Sequence, residues 1–259
     1  MPFFTDQLGR TFFLPLAPRR IISLVPSQTE LLYALGLDET VVGITKFCVR
    51  PEAWFHSKSR VGGTKAVDPT RVDALQPDLI IANKEENDRP QVEALAARYP
   101  VWISDIKTLE DALDMIRNVG ELTGKGPEAL ALAEAVANGF RQMLPPSSPI
   151  PAAYFIWRNP YMAAGGDTFI NDMLRYCGYA NIFSGQDRYP AVDLSSFSGH
   201  DKLHILLSSE PYPFRQRHLD EIKEILPNAT IRLVDGEFFS WYGSRLLEAP
   251  AYFRQLSDI

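Results

Sequence analysis

Unbroken apolar runs that alternate with helical stretches constrain this chain more than any other feature. Ile21–Val25, Val41–Ile44, Leu79–Ala82 and Val101–Ser104 carry almost no polar interruption. A strand with one wet face alternates polar and apolar residues, whereas one covered on both faces reads as a continuous apolar run. Helix signals separate these runs. Pro26 ends the first, and Ser27-Gln28-Thr29-Glu30 has the spacing of a capping box. Leu31, Leu32 and Leu35 then form a buried helical face, with Gly36 placed to terminate it. Asp68-Pro69 is a cap followed by proline at the first helical position, with Val72 and Leu75 facing inward. A further helix is predicted around residues 90–98, and residues 3–16 read as a hairpin turning near Gly9. Such alternation predicts an α/β fold with a largely parallel sheet covered on both sides.

The middle of the chain changes character. Leu109, Ala112, Leu113, Ile116 and Val119 lie at helical spacing within 108–122. After Gly124-Lys125-Gly126-Pro127, an Ala-rich helix is predicted over 128–144, ended by Pro145-Pro146-Ser147-Ser148-Pro149. The α/β alternation then restarts. Strands are expected at 152–157, 204–208 and 230–235. Helices are expected from an Asp167 cap to Gly178, over 219–226, and from about Ser244 to Leu256. The organisation read from this is an N-terminal α/β lobe over 1–125, a linker helix with its Pro/Ser break over 126–149, and a C-terminal α/β lobe over 150–259.

Ligands of open α/β sheets bind beyond the carboxyl ends of the strands, so the segments there are the candidate site. The first half offers Lys46 and Cys48 after one strand, and Lys84, Glu85 and Asn87 after another. The second offers Trp157-Arg158, then Glu210 with Tyr212, then Phe239, Trp241 and Tyr242. Aromatic plates mixed with a few charges suit a flat ligand with a polar rim. Lys46, Lys84 and Arg158 are placed to meet anionic groups. Phe238–Tyr242 is read as a loop, with four aromatics in five residues. Each of these residues also has a plain reading: the aromatics seal the lobe core, Lys84-Glu85-Glu86 forms a solvated loop, and Cys48 is a small buried residue. The position of Cys48 beside Lys46 also suggests a thiolate.

Several chemistries are excluded or unsupported. A net charge of −6 argues against nucleic acid as a partner. No stretch approaches the ~20 apolar residues that span a bilayer, so no membrane insertion is expected. His56, His200, His204 and His218 form no metal-binding pattern. There is no nucleophile elbow, and Gly120–Gly126 lacks the Ser or Thr and the preceding strand of a phosphate loop. Cys48 and Cys177 sit in different halves and are not expected to pair. No catalytic residue, resident cofactor or bare metal ion is expected, and no enzyme. A chelate whose metal is already coordinated needs only shape, aromatics and hydrogen bonds.

Taken together the motifs resemble the helical-backbone (class III) periplasmic substrate-binding proteins of ABC importers, whose members carry cobalamin or ferric siderophores. The resemblance runs from Asp6-Gln7-Leu8-Gly9-Arg10 and Arg20–Ser27 with Thr29-Glu30, through Val61-Gly62-Gly63 and Leu75–Ala82, to Cys177-Gly178 with Asn181-Ile182-Phe183. It implies two Rossmann-like lobes joined by one long backbone helix. It also implies a cleft between the lobes that holds a metal chelate, cobalamin or an iron siderophore. A monomer is expected, with an ABC permease as its partner. The family docks through one acidic residue at each lobe tip; those positions fall at or near Thr70 and around Leu194–Phe197, neither acidic. Thr64-Lys65 stand where some cobalamin binders carry an aromatic residue. The resemblance implies a periplasmic location, whereas a start without a secretory pattern points to the cytoplasm. The alternative reading is therefore a cytoplasmic sensor or accessory protein that kept the receptor fold without permease docking.

Overall fold

The computed structural model describes residues 3–143, 148–197 and 202–257. The chain divides into two compact units. The first comprises Met1–Ile106, Glu110–Ala137 and Tyr242–Arg245; the second comprises Lys107–Leu109, Asn138–Trp241 and Leu246–Ile259.

The first unit opens with an antiparallel hairpin, β1 (Phe3–Thr5) and β2 (Thr11–Phe13). The core sheet follows: β3 (Ile21–Ser23), α1 (Pro26–Ala34), β4 (Val41–Ile44), α2 (Glu52–Ser57) and β5 (Ser59–Arg60). A small hairpin, β6 (Gly62–Gly63) and β7 (Ala66–Val67), precedes α3 (Pro69–Leu75), β8 (Leu79–Asn83), α4 (Arg89–Ala96) and β9 (Val101–Ser104). The sheet has order β5-β4-β3-β8-β9 and is parallel throughout. Strands β3, β8 and β9 are buried at every residue, as their apolar runs predict. The exposed edge of β9 is covered by the turn of the first hairpin: Gln7 N donates to Ile103 O, and Asp105 N donates to Gln7 Oε1. Two long helices complete this part of the chain, α5 (Leu109–Thr123) and α6 (Gly126–Arg141). Helix α6 belongs to the first unit through Ala137 and to the second from Asn138.

The second unit is built on β10 (Ile150–Trp157), β11 (Tyr161–Ala163), α7 (Phe169–Tyr176), β12 (Tyr179–Asn181), β13 (Ala191–Val192), β14 (His204–Ser208), α8 (Gln216–Ile225), β15 (Thr230–Val234), α9 (Glu237–Ser240) and α10 (Ala249–Ser257). The sheet order is β13-β11-β10-β14-β15. Strand β10 pairs in parallel with β14 and, over its first three residues, with β12; its last residues pair antiparallel with β11. The antiparallel excursion of β11 and β13 is absent from the sequence reading, because three- and two-residue strands are too short to show a period.

Other differences have local causes. Ser27 does not cap α1: Pro26 is itself the first helical residue, Val25 is the cap, and no side chain caps the helix. Proline fixes φ near its helical value and has no N–H to satisfy, so the helix starts two residues earlier than the capping pattern suggests. Thr168, not Asp167, caps α7, its hydroxyl accepting from Asn171 N at 3.3 Å. The aromatic run read as a loop contains the single turn α9. The predicted last helix is a 3-10 turn over Ser244–Leu247 followed by α10. The predicted end of the linker helix at Leu144, most of the Pro/Ser break and His200 lie outside the described residues.

Candidate functional site

At the end of β8 the chain builds a tight polar turn. Asn83 Oδ1 accepts from the N–H groups of Glu85 and Glu86, at 2.8 and 2.9 Å. Asn87 Oδ1 accepts from Asn83 N, and its amide donates to Thr64 O and Leu24 O, at 3.0 and 3.3 Å. Side-chain amides that close on nearby backbone are the usual chemistry of such turns. Asn87 is therefore buried and spent on the fold. Lys84 is ion-paired with Asp105 at 2.5 Å. Glu85 is half-buried in the same turn. Glu86 accepts from the hydroxyl of buried Tyr242 at 2.9 Å. Burial and this carboxylate hold the phenol well above its ordinary range, so it stays a neutral donor. Arg245, three residues after Tyr242, pairs with Glu30 of α1.

Lys46, after β4, is exposed and lies over the equally exposed Phe47 ring, 5.1 Å from its centroid. Cys48 turns the other way. It is fully buried, with Sγ 3.1 Å from Thr29 Oγ1 and 3.2 Å from Thr45 Oγ1. Desolvation pushes the thiol up, so it is a neutral thiol and not the thiolate that its neighbour Lys46 suggests. Lys84 and Asn87 also border a cavity of about 290 Å³ that lies between the turn of the first hairpin and α4. Arg10, Arg89 and the apolar side chains of Leu8, Val92 and Ile103 complete most of its wall. Its guanidinium groups are engaged, Arg10 with Asp6 and Arg89 with Glu93.

In the second unit, the residues past β10, β14 and β15 form two clusters. Trp157 is 41 % exposed and stands edge-on to the half-buried Tyr212, with ring centroids 5.7 Å apart. Tyr212 is backed in turn by Phe214 at 4.8 Å. Beside them Arg158 donates to both oxygens of Glu221 at 2.8 and 2.7 Å, and Tyr161 donates to the same carboxylate at 3.1 Å. The guanidinium and the phenol hold the Glu221 carboxyl below its usual range.

The other cluster centres on Glu210. Its Oε1 accepts from Ser240 Oγ at 2.7 Å and from the indole N–H of Trp241 at 2.8 Å. Burial pushes this carboxyl up, and the nearby Glu237 and Asp235 add to the shift against the two hydrogen bonds. Gly236 lets the strand end pass this close, since a Cβ there would sit 2.4 Å from Ser208 Oγ and 2.7 Å from Glu210 Cγ. Phe239 has no exposed surface; it packs on Tyr154 and Phe253 at 5.0 and 4.9 Å. Its ring belongs to the core of the second unit, because one turn of α9 rotates it inward while Ser240 stays on the Glu210 side.

Of the twelve predicted residues, the structure brings Glu210 together with Trp241, Trp157 with Tyr212, and Lys84 with Asn87. Their decisive partners are Asp105, Glu86, Glu221 and Ser240. These escape the sequence reading because their sequence distances, 156 residues for Glu86 and Tyr242 and 63 for Glu221 and Arg158, leave no local pattern. No cluster of His, Cys, Asp and Glu suited to a bare metal ion occurs among the described residues, and no helix there is long and apolar enough to cross a membrane.

Each of the two α/β units carries aromatic and charged side chains at its strand ends, where open α/β sheets bind ligands. The chain belongs to the periplasmic binding protein family, which it matches over residues 21–224. That family consists of substrate-binding proteins, not enzymes. Among individual relatives, the chain is 28% identical over 181 residues to the vitamin B12-binding protein of Vibrio campbellii, covering 68% of this chain and 66% of that one. It is 29% identical over 181 residues to the vitamin B12-binding protein of Pectobacterium atrosepticum, covering 64% and 63%. The matched stretch thus spans just under two thirds of these relatives. In fold it is similar to the periplasmic vitamin B12-binding protein BtuF of Vibrio cholerae, with a TM-score of 0.77 at 21% identity over 94% of this chain and 98% of that one. The catecholate-siderophore-binding protein VctP of Vibrio cholerae gives 0.79 at 15% identity, over 98% and 99%.

Proposed function

We propose that the chain is a solute-binding protein of ABC-importer type that captures a metal chelate of corrinoid or siderophore class at its strand ends. The observation that carries the reading is the family match over residues 21–224, joined to partly exposed aromatic side chains at the strand ends. In the second unit Trp157 and Tyr212 offer apolar contact to a flat ligand and Glu210 a polar rim, supported by Trp241. In the first unit Phe47 and Lys46 offer a like pairing, and Tyr242 and Asn87 support the neighbouring turn through the hydrogen bonds described above. Relatives named as vitamin B12-binding proteins favour a corrinoid. The alternative, a sensor that kept the fold without transport, is not favoured by the family. Delivery would be to an ABC permease. The positions that resemblance assigns to docking lie at or near Thr70 and around Leu194–Phe197, with Asp68 and Asp193 just upstream. Both aspartates are engaged with helix N–H groups, Asp68 with Thr70 N and Asp193 with Ser195 N, each at 3.0 Å.

The test is calorimetric titration of the full chain with cyanocobalamin, haemin and a panel of ferric siderophores. Saturable binding of at least one at micromolar affinity or better is the expected result. Absence of binding to every member would overturn the reading.

A further inference from the structure

We infer that Gly63 is a positioning residue for the ligand surface of the first unit: the bare backbone of the β6–β7 hairpin is the floor that sets the Phe47 ring and the Lys46 stem. The inference rests on the metal-chelate reading above and names the residue through which Phe47 acts.

Among the described residues, Phe47 is the exposed aromatic ring of the first unit's strand-end loops, since Tyr242 is buried with its hydroxyl on Glu86. One edge of the Phe47 ring lies on Gly63. A Cβ added there would stand 3.2 Å from Phe47 Cε2 and 3.4 Å from Lys46 Cε. Carbon atoms in unstrained contact sit about 3.5–4.0 Å apart. A side chain at position 63 therefore displaces the ring, the stem or the hairpin itself.

Which of these yields depends on what holds each. The hairpin is tied to the β8 turn and to α4. Asn87 Nδ2 donates to Thr64 O at 3.0 Å, Gln91 Nε2 donates to Lys65 O at 2.9 Å, and Gln91 Oε1 accepts from Val67 N at 2.8 Å. The loop after β4 is fixed to the same hairpin, because Lys46 N donates to Gly62 O at 2.8 Å. Cys48, the residue after Phe47, is fully buried. Both backbones at the contact are thus held, and the Phe47 ring, 51 % exposed, is the part able to move. A ring displaced into solvent no longer offers a set face to a flat ligand. It must be ordered again on binding, and that ordering costs affinity.

The two adjacent glycines serve different ends. Gly62 has φ +113°, and a Cβ on it would lie 2.4 Å from Ala66 O, so the turn itself requires this glycine. Gly63 is not in the left-handed region. Alanine fits its backbone and, by restricting the unfolded chain, favours the folded one. Substitution at position 62 is therefore read in stability, and substitution at position 63 in ligand affinity.

The experiment titrates the full chain and its variants with the same panel of cyanocobalamin, haemin and ferric siderophores, and records a thermal melt of each variant. Gly63→Ala is expected to keep or raise Tm and to weaken the bound probe by about threefold or more. Phe47→Ala is expected to weaken it by about tenfold, as loss of an aromatic anchor does. In the Phe47→Ala background, Gly63→Ala is expected to change affinity by less than about twofold, since the ring it acts through is gone. Gly62→Ala is expected to lower Tm. Three results each overturn this inference and leave the receptor reading standing: a Tm lowered by Gly63→Ala as far as by Gly62→Ala, an affinity that Gly63→Ala does not move, or a full Gly63→Ala effect in the absence of the Phe47 ring. Binding of no member of the panel by the unaltered chain overturns both.

Discussion

Glu210 is the residue whose chemistry the fold alters most consequentially. Its carboxyl is pushed up in the folded chain, so the folded state holds a proton that the unfolded chain releases near pH 4.3. The stability this contributes is fully present below that value and is lost as pH rises through the folded-state pKa. Glu210→Gln is a neutral isostere that still accepts from Ser240 and Trp241. It is expected to keep the fold and to gain stability over the unaltered chain more at pH 8 than at pH 5, read from thermal melts; a larger gain at pH 5 contradicts the assignment. Trp157 poses a different test. It is partly exposed and leans on Tyr212 through one ring edge, so Trp157→Ala removes ligand contact with little cost to the core. A loss of about tenfold or more in chelate affinity is expected, since a large aromatic anchor carries a disproportionate share of binding energy; unchanged affinity would remove Trp157 from the site. Residue types at the strand ends were legible in the sequence, because the end of an apolar run marks where a ligand loop begins. Orientation was not. Cys48 and Phe47 are adjacent, yet one is buried and the other exposed, and only the path of the loop after β4 decides which.

At the scale of elements, the strands were legible for a simple reason. Three of the five strands of the first sheet are buried at every residue, and burial of that kind leaves an unbroken apolar signature. Asp68-Pro69 was legible as well: the carboxylate accepts from Thr70 N and Arg71 N, as a cap should. Elements held by pairing alone, such as β11 and β13, left no trace. The junction of α5 and α6 shows what a break signal can conceal. Gly124, at φ +72°, makes the turn, but Gly120 is what permits the helices to meet. A Cβ there would lie 2.2 Å from Ala129 Cβ and 3.0 Å from Lys125 O. Glycine inside a helix ordinarily costs about 1 kcal/mol relative to alanine, so Gly120→Ala would stabilise a free helix by that amount. Here the overlap involves a short side chain and backbone, neither able to swing away, and overpacking of this kind costs about 1–3 kcal/mol. Gly120→Ala is therefore expected to destabilise, while Gly126→Ala, whose Cβ would meet nothing within 4 Å, is expected to be neutral or favourable. Chemical denaturation of the two variants checks both signs.

For the molecule as a whole, titration is distributed unevenly between the two units. Among the described residues, the two histidines whose protonation the fold opposes, His204 and His218, both belong to the second unit. His204 begins β14 beside the Tyr179 ring, 5.5 Å away, and burial and Arg232 disfavour its charge. His218 is buried against Tyr212 and Phe214, and its Nδ1 accepts from Arg215 N at 2.9 Å. Protonating Nδ1 would abolish that acceptor at the start of α8. Desolvation and the positive charges of Arg217 and Arg158 oppose it further. Because both folded-state values lie below the unfolded one, the unfolded chain takes up protons first as pH falls below about 6.5. Stability of the second unit is thus full above that pH and declines as pH drops through the depressed values, by at most about 1.4 kcal/mol per pH unit for each histidine. The carboxylates held low, Asp73 by the Tyr99 hydroxyl and Arg98 in the first unit and Glu221 by Arg158 in the second, act only in a more acidic window, since their unfolded values are near 4. Peptide-resolved hydrogen exchange between pH 7 and 5, corrected for the intrinsic rate, is expected to show protection falling in β14 and β15 while β3 and β8 hold. His218→Gln, which keeps a side-chain acceptor but cannot take the proton, should flatten part of that decline; an equal loss of protection in both units would mean that they unfold as one body.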